Sequence, residues 1–468
     1  MTDFEKLFFP RAVGIIGANN QDYGGGYFLN SLMGIGYDGP LYLFNPRLKG
    51  QELKGYKVHG SILEIPDDQP IDYVILAVPA KICPQILEEV GQKGVPFVTV
   101  FSSGFSELNN KELEDSLLKV ARKHNIRFLG PNCLGLYVPK SKLAINRYQQ
   151  ANSGPLGLIC QSGGLAIYLS QMGAFSYGTY SSKVISIGNQ VDLNFVDFLK
   201  YFLTDDDTKV IGLYLENIKD KKTGQEFLKV VKELSLKGKP VIIWKVGYGE
   251  SAKEAIMSHT GGLAGSEAIW KAIPKQTGAC LVENSYDLVS LAMGFNYLSY
   301  PKNRNLGILS LGGGASIELT DLMEKFNLKV PQLAEETKEK FKEFLPEVNT
   351  IIRNPLDLGG SGTMMEVYYK SLLTLDSDPN VSTVVFNRAW NYSPEYTETI
   401  VRAKNNMRNQ LVCVALKIAD SVAEYKQKLR FKTALFNNGI PVFESIERAA
   451  KALDQMNTFR EFLEKRKK

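Results

Sequence analysis

The stretch Ser258-His259-Thr260-Gly261-Gly262-Leu263-Ala264-Gly265 carries the side chain of this chain best suited to nucleophilic chemistry. There are three histidines: His59 follows a Gly/Lys turn and His124 lies at the basic end of an amphipathic helix. Only His259 is bracketed by small residues and glycines, which leave a ring reachable and let backbone approach an anion closely. Near neutral pH the free base of imidazole is well populated, so the ring can attack an electrophile. A surface histidine in a glycine-rich loop is the plain alternative. Glu216 closes an apolar run, Val210 to Glu216, and stands at a strand's C-terminal edge. A carboxylate there can accept an imidazole N–H, fix the tautomer and stabilise a cationic or phosphorylated ring. Taken alone, Glu216 also reads as an ordinary surface acid.

Three further stretches suit anions. Val13 to Gly17 leads through Gly24-Gly25-Gly26 into a helical stretch. Leu156 to Cys160 leads through Gln161-Ser162-Gly163-Gly164 into another, and Leu306 to Leu311 through Gly312-Gly313-Gly314 into a third. A strand, a glycine turn and a helix start aim backbone N–H groups and the positive end of the helix dipole at a phosphate. Ser162 is also a natural N-cap, and the two roles are compatible. The first turn is not G-x-G-x-x-G, and the second strand ends in Asn45-Pro46-Arg47 instead of an acid, which argues against a plain NAD domain.

The elements that must hold these residues follow a βα rhythm. Tyr73 to Val78, Phe97 to Phe101 and Arg127 to Gly130 read as strands, and Lys111 to His124 as an amphipathic helix. Their tips carry Pro79, Ser103-Gly104-Phe105 and Pro131-Asn132-Cys133, and in a doubly wound parallel sheet such tips line one ligand-binding edge. Cys133 reads as a packing or ligand-contact residue, since no histidine is near it in sequence. Lys140 to Gly154 reads as a linker, and Thr223 with Glu226 as a capping box opening a helix. Later strands are expected at Val184 to Gly188, Val241 to Val246, Val384 to Phe386, Leu411 to Leu416 and Pro441 to Phe443.

Composition narrows the function classes. A net charge of +5 over 468 residues does not point to nucleic acid. The five cysteines are scattered without metal or redox spacing, which fits a reduced cytoplasm. No apolar signal region follows Met1 and no run of 18 apolar residues occurs, so neither export nor a membrane span is expected.

The motifs Gly17-Ala18-Asn19, Asn45-Pro46, Ala77-Val78-Pro79, Ser103-Gly104-Phe105, Gly130-Pro131-Asn132-Cys133-Leu134-Gly135, Gln161-Ser162-Gly163-Gly164, Tyr214-Leu215-Glu216, Ser258-His259-Thr260-Gly261 and Asn354-Pro355-Leu356-Asp357-Leu358 occur in this order. Over nearly the whole chain they resemble the alpha subunits of nucleoside-diphosphate-forming acyl-CoA synthetases, relatives of succinyl-CoA synthetase. The resemblance implies an α/β chain: a Rossmann-like CoA-binding domain over 1–135, a ligase domain with the phosphohistidine loop over 150–298, and a second flavodoxin-like ligase domain over 303–460. It implies conversion of acyl-CoA, ADP and phosphate to a short-chain carboxylic acid, CoA and ATP through an acyl phosphate. His259 would be the transiently phosphorylated residue and Glu216 its steadying carboxylate. Ser162, Gly163 and Gly164, with Gly312, Gly313 and Gly314, map to phosphate-binding helix starts. CoA contacts map to Gly17, Ala18, Asn19, Asn45, Pro46, Val78, Pro79, Ser103, Gly104, Asn132 and Cys133. No metal site is implied on this chain. With all three regions used, the resemblance implies a separate ATP-grasp beta subunit holding ADP or ATP with Mg²⁺, in an α2β2 assembly. The rival is a non-catalytic CoA-binding regulatory or scaffold module of the same fold. The chain departs from the family at Tyr248, in a segment where the family often has an arginine, and at Cys160, where serine is common.

Overall fold

Short runs of β-branched and aromatic residues, each closed by glycine, proline or asparagine, become the parallel strands of this chain. A computed structural model describes residues 3–249, 251, 267–346, 350–387, 392–414 and 419–466. It divides into two units: Met1–Ala174 with Thr179–Glu283, and Phe175–Gly178 with Asn284–Lys468.

The first unit holds two sheets. The first contains β1 (Val13–Ile16), β2 (Leu41–Phe44), β3 (Glu52–Leu53), β4 (Tyr56–His59), β5 (Tyr73–Leu76), β6 (Phe97–Val100) and β7 (Arg127–Leu129). Their order is β3-β4-β2-β1-β5-β6-β7, parallel except at the β3–β4 pair. The strand order reverses at β1, which opens a crevice above its C-terminal end. The second sheet contains β8 (Gly135–Tyr137), β9 (Leu156–Cys160), β10 (Ser181–Ser186), β11 (Val210–Leu215), β12 (Val241–Lys245) and β13 (Cys280–Val282), in the order β13-β12-β11-β9-β10-β8. Strands β1, β5, β6, β9, β10 and β11 are buried at every residue, as expected where helices cover both faces of a parallel sheet.

In the second unit, β14 (Leu306–Ser310), β15 (Leu356–Asp357), β16 (Thr383–Asn387), β17 (Gln410–Val414) and β18 (Val442–Phe443) form a parallel sheet ordered β15-β14-β16-β17-β18. Helix Gly313–Lys325 follows β14 directly.

Two local expectations differ from what the chain does, and one strand was not anticipated. Strand β8 runs antiparallel to β10, so Gly135 begins an edge strand of the second sheet. The stretch expected as a linker is packed: Leu143, Ala144 and Ile145 are buried, and Tyr27 Oη donates to Ile145 O at 2.6 Å. Helix Lys221–Leu236 is capped by Asp220, whose Oδ1 accepts from Thr223 N at 2.8 Å. Thr223 is thus inside the first turn, and Glu226 pairs with Lys200 at 2.6 Å. A carboxylate three residues before Thr223 takes the free N–H groups first.

The two sheets of the first unit share one apolar core, from Leu7 and Phe8 through β1 and β5 to β9, β11 and β12. At its margin the rings of Phe8 and Tyr201 meet at a tilt of 36° with centroids 4.8 Å apart, and the Lys183 ammonium lies 5.6 Å over Phe8 and 5.5 Å over Tyr201. Lys183 is fully buried and pairs with Asp205 at 2.9 Å. A buried charge of this kind is tolerated because its partner and further hydrogen bonds compensate for desolvation.

Candidate functional site

A cleft of about 550 Å³ opens at the switch point of the first sheet. Gly17, Asn45, Pro46, Val78 and Pro79, all expected there, line it. Gly17 sits at φ +90°, and a Cβ on it would stand 2.2 Å from Ala77 O, so only glycine lets β1 pass that close to the β5 tip. Asn45 braces the turn: its Nδ2 donates to Ala18 O at 2.8 Å and its Oδ1 accepts from Arg47 N at 3.0 Å. Ala18 is fully buried, and Asn19 Oδ1 accepts from Gln21 N at 2.8 Å, so these two shape the turn. Arg47, Ser61 and Gln85 also line the cleft and were not foreseen. Arg47 follows the Asn-Pro pair directly and had a signal; Ser61 follows β4, a strand that polar Lys57 and His59 conceal.

A second cleft of about 240 Å³ lies where the two sheets of this unit meet. Asn132 and Cys133, grouped with the first-sheet tips by sequence, line it together with Gln161, Ser162, Gly163 and Gly164. The segment after β10 closes it. Asn189 N donates to Pro131 O at 3.0 Å, Val191 N to Gly130 O at 3.0 Å and Leu193 N to Phe128 O at 3.1 Å. Gly188, at φ +52°, is required there because a Cβ would stand 2.4 Å from Pro131 O. Ser103 and Gly104 belong to a loop tied to the same segment: Gly104 N donates to Glu107 Oε1 at 2.6 Å, and Asn189 Nδ2 donates to Glu107 Oε2 at 2.6 Å.

Ser162 Oγ accepts from Leu165 N at 3.4 Å, a cap at the start of helix Gly163–Tyr177. A Cβ on Gly163 would lie 2.8 Å from Leu134 Cγ, whereas one on Gly164 would meet nothing nearer than Ser162 Oγ at 4.0 Å. The helix start therefore borders the cleft with little side-chain bulk, the arrangement that favours an anion. Burial pushes the Cys133 thiol up to about 12, so it is protonated at neutral pH and suits the packing role.

Glu216 follows β11 and is buried. Gln161 Oε1 accepts from the backbone N–H of Glu216 and, at 3.1 Å, from that of Asn217. Tyr214 Oη donates to Glu216 Oε1 at 3.3 Å. Lys245 ends β12 opposite Leu215, with its ammonium 5.2 Å over the Tyr248 ring and 5.5 Å over Trp270. Burial pulls the Lys245 ammonium down to about 8, and the charge of Glu216 opposes that shift. Tyr248, where an arginine was anticipated, thus covers a neighbouring cation with an aromatic face. His259 lies outside the described residues.

Gly312, Gly313 and Gly314 stand at the start of helix Gly313–Lys325 in the second unit. Asp357 Oδ2 is 3.6 Å from the place of a Gly313 Cβ, and its Oδ1 accepts from Gly359 N at 2.9 Å. Among the described residues no group of three or more His, Cys, Asp or Glu is placed to hold a metal, and no helix is long and apolar enough to cross a membrane.

Comparison with known proteins now bears on these clefts. Residues 11–139 match the CoA binding domain model, and 153–295 match the succinyl-CoA ligase like flavodoxin domain model. The alpha subunit of acetate–CoA ligase (ADP-forming) I of Pyrococcus furiosus is 35% identical over 463 residues, covering 97% of this chain and 96% of that one. The chain belongs to the ADP-forming acetate–CoA ligase family. Within that family the Methanocaldococcus jannaschii ligase is 36% identical over 77% of this chain but only 50% of its own length. A dinucleotide forming acetyl-coenzyme A synthetase 1 of Ca. Korarchaeum cryptofilum, solved with phosphate and ADP, superposes with a TM-score of 0.86 at 28% identity over 100% of this chain and 99% of that one. The family's CoA-binding stretch contains the first cleft, and its flavodoxin stretch contains Ser162, Glu216 and His259.

Proposed function

We propose that this chain is the alpha subunit of an ADP-forming acyl-CoA synthetase, with acetyl-CoA among its substrates, working with an ATP-grasp beta subunit in a cytoplasmic α2β2 assembly. The chain is organised as three domains, 1–135, 150–298 and 303–460. CoA takes the first cleft, with Gly17, Asn45, Pro46, Val78 and Pro79 along its path, and its thioester end reaches the second cleft beside Asn132 and Cys133. Phosphate takes the helix start at Ser162, Gly163 and Gly164, where backbone dipoles offset its charge. A phosphate oxygen attacks the thioester carbonyl carbon, the C–S bond breaks, and the CoA thiolate leaves and takes up a proton. The imidazole of His259 then attacks the phosphorus of the acyl phosphate. The P–O bond breaks, and the free carboxylate departs. Glu216 accepts the imidazole N–H, which keeps the attacking nitrogen unprotonated and stabilises the phosphorylated ring. The phosphoryl group passes on to the terminal phosphate of ADP on the partner, where Mg²⁺ accompanies the nucleotide. Gly312, Gly313 and Gly314 form a second phosphate-binding helix start.

The observation that carries this reading is the second cleft. It brings tips of the CoA-binding sheet against a bare helix start, so a thioester and an anion can meet there. The alpha-subunit relatives, matched almost end to end, support it. The test is exposure of the chain to acetyl-CoA and radiolabelled phosphate. Acid-labile, alkali-stable label that vanishes in His259→Ala is the expected result. Label that persists in that variant refutes the assignment of His259.

A further inference from the structure

Lys245 is a buried cation at the Glu216 strand tip to which the phosphoryl-transfer scheme gives no task. Lys245 is 3% exposed, yet among the described residues no carboxylate lies within ion-pair reach of its ammonium. Its Nζ donates to Val246 O and otherwise meets the faces of Tyr248 and Trp270. Strand pairing sets Lys245 opposite Leu215, one residue before Glu216, and the two strand tips emerge side by side. Gln161 holds the Glu216 backbone and Tyr214 reaches its carboxylate, so Glu216 has little freedom to turn away. Both charges are removed from water, and in such surroundings a charge acts on its neighbour over more than contact distance.

We infer that Lys245 is a positioning residue: its buried ammonium is the fixed countercharge that keeps the Glu216 carboxylate oriented as the acceptor for an imidazole N–H. This rests on the reading of Glu216 given above and adds to it a residue that touches neither substrate nor phosphate. The two aromatic faces exclude water from the ammonium, so the Glu216 charge is felt more strongly than at a surface. Burial depresses the affinity of Lys245 for its proton and the charge of Glu216 restores part of it, which is the same coupling seen from the lysine's side.

Two measurements decide the matter. In the labelling assay, Lys245→Met slows phosphorylation of the chain by roughly tenfold or more, while Lys245→Arg retains most of the rate and shows that the site tolerates a long cation. The double variant Lys245→Met/Glu216→Gln is no slower than Glu216→Gln alone, because the lysine acts through the glutamate. Wild-type labelling in Lys245→Met, or single effects that multiply in the double variant, overturns the inference; a merely structural lysine would give the multiplied result. The second measurement is a nitrogen-detected NMR titration of the Lys245 ammonium in the full chain, which needs no activity. In Glu216→Gln the lysine loses its proton at lower pH than in wild type; an unchanged titration overturns the coupling. If wild-type chain takes no label, the proposed reaction fails, and the titration still judges the charge pair.

Discussion

Replacing Gln161 by leucine tests how the Glu216 tip is held. The side chain is buried, and its Oε1 accepts two backbone N–H groups, those of Glu216 and Asn217, both also buried. Leucine keeps the volume and removes the acceptor. Each buried donor left without this partner costs about 1–3 kcal/mol, so the pair costs about 2–6 kcal/mol. Gln161 borders the 240 Å³ cleft, from which water can reach the donors. That favours the lower half of the range, about 2–4 kcal/mol. At about 2 °C per kcal/mol for a body of this size, the first calorimetric transition falls by about 4–8 °C. The Glu216 backbone then relaxes, and chain labelling by acetyl-CoA and phosphate drops by about tenfold, the effect of a misplaced catalytic group. Gln161→Glu keeps the acceptor but adds a negative charge beside the anion site, so it melts close to wild type and labels poorly. If Gln161→Leu melts within about 1 °C of wild type and labels normally, the hydrogen bonds do not hold Glu216 and the reasoning is wrong.

Gly17→Ala, at φ +90° with a backbone oxygen 2.2 Å from the new Cβ, weakens CoA binding measured by calorimetry, because the strain of about 1–3 kcal/mol falls on the wall of the CoA cleft. Gly36→Ala, at φ +77° with nothing within 4 Å, is the control and leaves CoA affinity unchanged. Lys183→Met strands the Asp205 carboxylate and lowers stability by about 3–5 kcal/mol in thermal melts, without changing CoA affinity. Burial pushes the thiols of Cys83, Cys133 and Cys160 up to about 12, so mass spectrometry finds them unalkylated by iodoacetamide at pH 8 until the chain is unfolded. The sign for stability follows: between the ordinary thiol value of 9.0 and about 12 the unfolded chain gives up these protons while the folded chain keeps them. These thiols therefore make stability fall as pH rises through that range.

Much of this protein is local and could be read along the chain. A strand of apolar residues ending in glycine and followed by a helix announces itself within about ten residues, as at Val13, Leu156 and Leu306, because burial on both faces demands an unbroken apolar run. The order of the Gly-rich turns, the placement of Glu216 at a strand tip and the family resemblance all needed nothing more. Two short strands stayed hidden, β4 with polar Lys57 and His59 and β13 with only three residues, since one or two buried positions make no period.

What the tertiary structure decided is which distant tips touch. Asn132 and Cys133 stand beside Ser162 in the smaller cleft and not along the larger one, because residues 188–193 lie against 128–132 through backbone hydrogen bonds. Gln161 and Glu216, and likewise Lys245 and Leu215, become neighbours only through the pairing of β11 with β9 and β12. Asp220, not Thr223, caps its helix because a free carboxylate at the right backbone angle reaches the first-turn N–H groups. Composition and periodicity record which residues must be buried. They do not record the crossover connections and strand register that choose each residue's partner, and those come from packing the whole core at once.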